Sequence, residues 1–286
     1  MIIFDLSQIL HAAVHSDMKT QGTKEPSERG IRIYVLNKIQ YIRSKFVREF
    51  GKETVIAVDN NSWRKEVFPH YKYKRKKNRK DDNLNWEVIH GYFSNIKAEL
   101  KEHFPYAIMD VYGAEGDDII AVMCKSLDKP VIIIGQDKDY FQLHGKGNVK
   151  QYCPIKDIMM TSVVSEIPYN LFTHICRGDT SDGICSMINA SNCFVEGIRQ
   201  KSLYETYIVE AYDNAKKGRL KEFLGEQTHK RFLENKTLID FRCIPSDLSE
   251  RIIDTYNNYE IPQTNVYKYL QKYDLYQEFV RDINYF

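Results

Sequence analysis

The sequence predicts an α/β fold: a mostly parallel central sheet flanked by helices, followed by a mainly helical C-terminal region. Three observations carry this. Short, mostly apolar runs at Ile2–Leu6 (interrupted by Asp5), Thr54–Val58, Ala107–Tyr112 and Val131–Ile134 alternate with longer stretches of helical spacing. The runs do not alternate apolar with polar, which suits strands buried on both faces, as in parallel sheets. After Pro168 strand-like runs give way to helical ones.

The totals set wide bounds. A chain of 286 residues, 43% hydrophobic and 28% charged, is long enough for one large domain or two modest ones. With a net charge of +2, the average excludes neither acidic nor basic partners, so the distribution along the chain has to decide. The six cysteines form no CxxC pair and are irregularly spaced, which argues against a zinc site and for reduced thiols. The N-terminal MIIFDL is too short for a signal or membrane segment. It is already strand-like.

In chain order, Ile2 to Leu6 is the first strand, with a helix from about Ser7 and a polar loop over 17–29. Ile31, Val35, Leu36, Ile39, Ile42, Phe46 and Phe50 recur at helical spacing up to the stop at Gly51. The strand Thr54–Val58 follows. Trp86 to Phe104 returns to helical spacing, ended by Pro105. A strand from Ala107, a helix over 119–127 and the strand Val131–Gly135 come next, then strand-like runs at 148–153 and 159–164. Helices are expected over 169–176, 198–217, 229–239, 248–256, 266–270 and 276–283. The organisation expected is an α/β domain over 1–165 and a helical region over 166–286.

Carboxylates gather at the strand ends. Asp5 ends the first strand and Asp59 the second; Glu115, Asp117 and Asp118 follow the third, and Asp137 and Asp139 the fourth. Asp5 could be no more than an N-cap, but Ser7 could cap equally well and Asp59 repeats the pattern. Asp117 and Asp118 also suit the positive end of a helix dipole, a role compatible with binding a cation. In an open parallel sheet these strand ends share one edge, where ligands bind. Clustered carboxylates repel one another unless a cation joins them, and a hard divalent ion such as Mg²⁺ takes oxygen ligands. Gly178-Asp179-Thr180-Ser181-Asp182-Gly183 would ordinarily be a turn.

The stretch 62–85 has a different composition. Arg64, Lys65, Lys72, Lys74, Arg75, Lys76, Lys77, Arg79 and Lys80 are interleaved with Trp63, Phe68, His70, Tyr71 and Tyr73. A solvated charged loop needs no aromatics. Cations neutralise phosphates and aromatics stack on unpaired bases, so the mixture fits a single-stranded nucleic-acid end. Its latter half has few apolar residues and is expected to stay mobile without a ligand.

Taken together, Asp5, Asp59, Glu115-Gly116-Asp117-Asp118, Asp137-Lys138-Asp139 and Gly178-Asp179-Thr180-Ser181-Asp182 resemble the acidic motifs of the structure-specific 5′ nuclease (flap endonuclease) family. Tyr71-Lys72-Tyr73-Lys74-Arg75 is similar to that family's Tyr-Lys-x-x-Arg motif. The likeness extends to Trp63-Arg64, Met109-Asp110, Asn148-Val149-Lys150-Gln151, Ile208-Val209-Glu210-Ala211 and Leu238-Ile239-Asp240-Phe241, which resemble the ribonuclease H branch found in T-even-type bacteriophages.

The resemblance implies a PIN-like sheet and a basic mobile arch over 62–85. It implies a two-metal phosphodiester hydrolase using Mg²⁺, with Mn²⁺ as a substitute. Asp5, Asp59, Glu115, Asp117 and Asp137 would hold mainly one ion, and Asp118, Asp139, Asp179 and Asp182 the other. Lys72, with Tyr71 and Asp137, would form the catalytic set, Tyr71 stacking on the terminal base. Arg64, Lys74, Arg75, Lys76, Lys77 and Arg79 would bind the nucleic acid. The activities implied are 5′ to 3′ exonuclease, flap endonuclease and ribonuclease H, removing RNA primers and flaps from lagging-strand fragments in the cytoplasm of an infected bacterium. The partners implied are flap or fork DNA, RNA–DNA hybrid with a free 5′ end and a single-stranded-DNA-binding protein, with the nuclease itself a monomer.

Gly116 and Gln136 depart from the usual pattern. The segment after Asp182, GICSMINASNCFVEGI, lacks a Gly-x-Gly hairpin, so the monovalent-cation site and standard duplex clamp are not carried over. A non-catalytic structure-specific DNA-binding protein on the same fold is the competing reading, and it would show gaps in the acidic set; there are none. A small-substrate phosphatase would open on a nucleophilic DxD, whereas Asp5 is followed by Leu6-Ser7.

Overall fold

A computed structural model describes residues 1–75 and 83–286. Lys76, Lys77 and Arg79 lie outside the described residues. The chain folds as two compact units: Met1–Asn61, Leu84–Thr161 and Asp247–Phe286 form one, and Ser62–Asn83 with Ser162–Ser246 the other. The chain passes from the first unit to the second between Thr161 and Ser162, near the boundary expected at 165, and Asp247–Phe286 return to the first. Helical spacing in the last forty residues reveals helices, but not the surface that they cover. Tyr269, Leu270, Leu275, Phe279 and Phe286 join the core of the first unit beside Ile2, Phe4 and Ile39. The basic segment belongs with the second unit.

In the first unit, strands β1 (Ile2–Asp5), β2 (Thr54–Ala57), β3 (Ala107–Met109), β4 (Val131–Ile134), β5 (Val149–Cys153) and β6 (Ile158–Met160) form one sheet in the order β3-β2-β1-β4-β5-β6. All pairings are parallel except β5 with β6. The chain runs outward from β1 through β2 to β3, then returns to place β4 on the other side of β1. The C-terminal ends of β1 and β4 therefore flank a topological switch point, the usual crevice for a ligand in such sheets. Asp5 stands level with Ala57, so Asp59 lies two residues past the same edge.

Helix α1 (Leu6–Gln21) runs further than the loop expected from Asp17. Asp17 is buried inside the helix and accepts the backbone N–H of Ser27 at 2.7 Å, which ties down the short connection to α2 (Glu28–Phe50). Gly30 makes room for it: a Cβ there would stand 1.6 Å from Asp17 Oδ1. Helix α3 (Trp86–His103) and helix α4 (Gly116–Ser126) complete the central layers. Helix α4 is buried along nearly its whole length, so its first-turn carboxylates are held rigidly.

In the second unit α5 (Ile167–Arg177), α6 (Glu205–Lys216) and α7 (Leu220–Ile239) pack Phe172, Ile175, Ile208, Ala211, Phe232 and Leu238 together with Phe68 and Tyr71 of the basic segment. The helix expected from Ile198 begins only at Glu205, because Gly197 to Tyr204 is pinned as a loop. Asn189 Nδ2 donates to the Lys201 carbonyl at 3.2 Å and Asn189 Oδ1 accepts the Lys201 N–H at 2.8 Å. All six cysteines are free. Among the described residues no helix is long and apolar enough to cross a membrane.

Candidate active site

At the switch point the carboxylates meet by short routes from the sheet. Asp5 is almost fully buried and accepts the Gln8 N–H at 3.3 Å, so it does cap α1 while facing the crevice. Burial pushes its pKa up to about 7, helped by the negative charges of Asp59 and Asp137 and opposed by the bonds from Tyr140 and Gln8. Asp59 accepts the Ser7 hydroxyl at 2.6 Å through Oδ2 and the Gly116 N–H at 2.7 Å through Oδ1. Glu115 and Asp118 form a reciprocal capping box at the start of α4, in which Asp118 Oδ2 accepts the Glu115 N–H at 3.0 Å. Asp137 accepts the Asp139 N–H at 2.9 Å.

Tyr140 joins the two halves of this cluster. Its buried hydroxyl lies 2.8 Å from Asp5 Oδ2 and 2.5 Å from Asp117 Oδ1. A phenol has one proton, so it donates to one carboxylate at a time. Burial, with the charges of Asp117 and Asp5, raises the phenol pKa well above its ordinary value, so Tyr140 keeps that proton. Among the described residues no three His, Cys, Asp or Glu side chains stand ready to close on an ion. The donor set nevertheless fits a hard divalent cation: it consists of carboxylate oxygens, and buried Asp5 feels the charges of Asp59 and Asp137.

The second unit holds the remaining residues singled out in the sequence. Asp179 Oδ1 accepts the Ser181 N–H and hydroxyl, each at 2.7 Å, and the Asp182 N–H at 3.2 Å. Burial alone would raise the Asp179 pKa, but His174 and these donors outweigh it and hold the carboxyl well below the usual range. Asp182 is bonded to Tyr71 and Arg75, so both of its carboxylate oxygens already have protein donors.

Three residues expected at the nucleic acid make contacts within the second unit. Tyr71 is only 7% exposed and packs its ring into the helical core, so it is no open platform for a base. Arg64 is also buried: its Nε donates to the Leu238 carbonyl at 2.8 Å and its guanidinium lies 4.8 Å from the Trp63 ring centre. Lys74 places its ammonium 3.7 Å from the Phe194 ring centre. Charge and aromatic content marked this segment in the sequence, but could not separate its anchoring members from those left to solvent.

Comparison with known proteins settles the family. Residues 1–167 match the family model described as the 5′-3′ exonuclease N-terminal resolvase-like domain, and residues 165–286 match the C-terminal model of T4 RNase H. The chain is 34% identical over 257 residues to the ribonuclease H of Enterobacteria phage T4, covering 85% of this chain and 82% of that protein.

The chain belongs to the 5′–3′ exonuclease family.

It is a nuclease, a hydrolase of phosphodiester bonds, on a PIN-like resolvase scaffold. Its fold resembles that of the bacteriophage T5 5′-exonuclease solved with divalent zinc, with a TM-score of 0.60 at 15% identity over 90% of this chain and 98% of that one. A bacteriophage T5 flap endonuclease solved with DNA and metal ions gives a TM-score of 0.59 at 15% identity over 90% and 99%. At such identities the likeness is one of fold.

Two residues that hold the nuclease site together escaped the sequence reading. Tyr140 is one. Gln151, fully buried in β5, is the other: its Nε2 donates to the carbonyls of Gly135 at 2.9 Å and Asp137 at 2.7 Å. Both partners can only accept, so the amide orientation is fixed and Oε1 faces His144 Nε2 at 3.1 Å. His144 is therefore the Nε2–H tautomer, and burial lowers its pKa against the effect of the Gln151 bond. A glutamine facing inward in an apolar strand was the signal available in the sequence. Gln151→Leu should leave two buried carbonyls without donors and cost about 2–4 kcal/mol, read by denaturant unfolding. It should also lower cleavage through a displaced Asp137.

Proposed function

We propose that this nuclease is a Mg²⁺-dependent 5′ to 3′ exonuclease and flap endonuclease with ribonuclease H activity, removing RNA primers and 5′ flaps from lagging-strand fragments during phage DNA replication. The observation that carries it is the carboxylate cluster at the switch point, tied together through Tyr140. The substrates are flap or fork DNA and RNA–DNA hybrid, cut by a monomer in the host cytoplasm. A single-stranded-DNA-binding protein is the expected partner. The likeness to the ribonuclease H of phage T4 and to the 5′-exonuclease and flap endonuclease of T5 supports this reading.

Bound divalent cations supply the activation of water and the charge neutralisation that phosphodiester hydrolysis needs. Asp5, Asp59, Glu115, Asp117, Asp118, Asp137 and Asp139 would hold them, with Mn²⁺ as a substitute for Mg²⁺. Ser7 and the Gly116 N–H fix the orientation of Asp59, and Tyr140 keeps a proton between Asp5 and Asp117, so the oxygens stay close without two bare charges facing each other. Lys72 stabilises the scissile phosphate, and the basic segment grips the 5′ strand.

A 5′-labelled flap incubated with Mg²⁺, with and without EDTA, tests the reading. Product that appears with Mg²⁺ and vanishes with EDTA is expected; no EDTA-sensitive product would refute it. Replacing Lys76, Lys77 and Arg79 together with Ala should weaken flap binding and reduce the slope of log K against log salt by about 2. An unchanged slope in fluorescence titrations would remove these residues from the binding account.

A further inference from the structure

Asp59 and Glu115 follow different strands, yet short bonds hold their backbones against each other. The Val58 N–H donates to the Met109 carbonyl at 3.0 Å, and the Asn60 N–H to the Ala114 carbonyl at 3.0 Å. Asp59 thus stands between these two bonds, and Glu115 directly follows the second. Between Met109 and Ala114 the chain turns: the Ala114 N–H donates to the Val111 carbonyl at 3.0 Å, with Gly113 at a φ of +88°. Asp110 fastens this turn to the other strand. Its Oδ1 accepts Asn60 Nδ2 at 2.6 Å, and its Oδ2 accepts Lys97 Nζ, from α3, at 2.8 Å. Burial alone would raise the Asp110 pKa, but Lys97 and Asn60 outweigh it and hold the carboxyl below its ordinary value. A carboxylate can only accept, so the orientation of the Asn60 amide is fixed, and Asn60 Oδ1 takes the Asn61 N–H at 2.6 Å.

We propose that Asp110 is a positioning residue for metal binding that acts through Asn60 on the spacing of Asp59 and Glu115. The proposal rests on the nuclease reading above and concerns how its carboxylates are held in place. Strand β2 ends at Ala57, so the regular ladder stops short of Asp59. The bonds around Asn60 take its place. The Ser7 hydroxyl and the Gly116 N–H aim the Asp59 carboxylate, and Asn60 holds the backbone from which it projects. Without Asp110 the Asn60 side chain has lost its acceptor, and one bond in place of two ties Asn60 to the turn before Glu115. Oxygen ligands must stand at set distances around a hard cation, and removing such outer partners weakens metal sites about 10–100-fold. Asp110 acts here as a hydrogen-bond acceptor. Its side chain is 30% exposed and that of Lys97 36%, so their ion pair is too open to water to carry much stability of its own.

The test is Mn²⁺ binding to the protein without nucleic acid, read by electron paramagnetic resonance after metal and chelator have been removed. Asp110→Ala should weaken binding about tenfold, while its melting temperature in EDTA stays within a few degrees of the parent's. Asp110→Asn loses the charge but keeps an acceptor for Asn60, so it should bind within about threefold of the parent. Asn60→Ala should match Asp110→Ala, and the double variant should bind no more than about twofold weaker than either. The proposal falls if Asp110→Ala binds like the parent. It falls if Asp110→Asn loses as much as Asp110→Ala, which would leave only an attraction of charge. It also falls if the two effects add in the double variant. Should Asp110→Ala fail to fold in a thermal melt, Asn60→Ala decides alone, and parent-like binding by it overturns the proposal. Cleavage of a 5′-labelled flap by the unmodified protein with Mg²⁺ is scored in parallel. No cleavage would remove the proposed function, whereas cleavage with unchanged Mn²⁺ binding in Asp110→Ala would remove only the role of Asp110.

Discussion

Asp5→Asn is expected to end cleavage and, at the same time, to stabilise the metal-free protein at neutral pH. The two effects have one cause. Asp5 is buried beside the charges of Asp59 and Asp137, and its pKa is pushed up to about 7. A carboxyl whose folded pKa lies above its unfolded value of about 4 costs nothing while protonated in both states. Its penalty grows as pH rises from about 4 and is complete above about 7, where a shift of this size corresponds to a few kcal/mol. Asparagine removes that penalty and fits the bonding pattern. Its Oδ1 can accept the Gln8 N–H, and its Nδ2 can donate to the Tyr140 oxygen, leaving the phenol proton free for Asp117. The unmodified protein in EDTA should therefore lose melting temperature between pH 5 and 8, and the variant should lose less, ending several degrees higher at pH 8. Single-turnover cleavage with Mg²⁺ should drop on the order of 10³-fold, because the amide cannot supply the anionic oxygen that the cation needs. Flap binding in EDTA should survive. An Asp5→Asn protein that melts lower than its parent in EDTA would show that the carboxylate stabilises the fold instead of burdening it.

That tension between stability and site was partly legible in the sequence. Aspartates ending two buried strands, Asp5 and Asp59, make poor sense as structure alone, and repetition of the pattern pointed to one edge of a parallel sheet. The strand order could not be read, since apolar runs do not say which neighbours they take. The return of β4 to the side of β1 is what sets Asp137 beside Asp5. Capping and site roles looked like alternatives for Asp5 but coexist, because the carboxylate has two oxygens and the Gln8 N–H uses only one. Tyr140 and Gln151 were missed because a tyrosine and a glutamine carry no charge pattern; only their burial against the carboxylates and the Asp137 carbonyl gives them meaning. In the basic segment the charge pattern was plain and the long-range contacts were not. Positive charge drew attention to Arg64, yet its bond to the Leu238 carbonyl depends on a contact 174 positions away in sequence, beyond the reach of any local pattern.

Lys72 separates backbone from charge more cleanly than any other residue of the basic segment. It adopts a φ of +57°, the left-handed region that a residue with a Cβ enters at a cost of about 1 kcal/mol, and its N–H is fastened to the Asp182 carbonyl. Its ammonium lies 5.0 Å from the centre of the Tyr71 ring. Two substitutions divide these features. Lys72→Ala removes the ammonium and keeps the backbone cost. Lys72→Gly removes both, although the freer unfolded chain takes back about 0.4–1 kcal/mol, so its melting temperature should equal or slightly exceed that of Lys72→Ala. If the ammonium stabilises the scissile phosphate, both variants should cut about 10²–10³-fold more slowly in single turnover, at saturating flap and Mg²⁺, while binding in EDTA changes little. The combination of lost cleavage with undiminished stability is what a side chain kept for chemistry in an unfavourable backbone setting should produce. A Lys72→Gly protein that cuts at the parent rate would show that the strained turn serves the Tyr71 and Arg75 contacts to Asp182, and that the phosphate charge is met elsewhere.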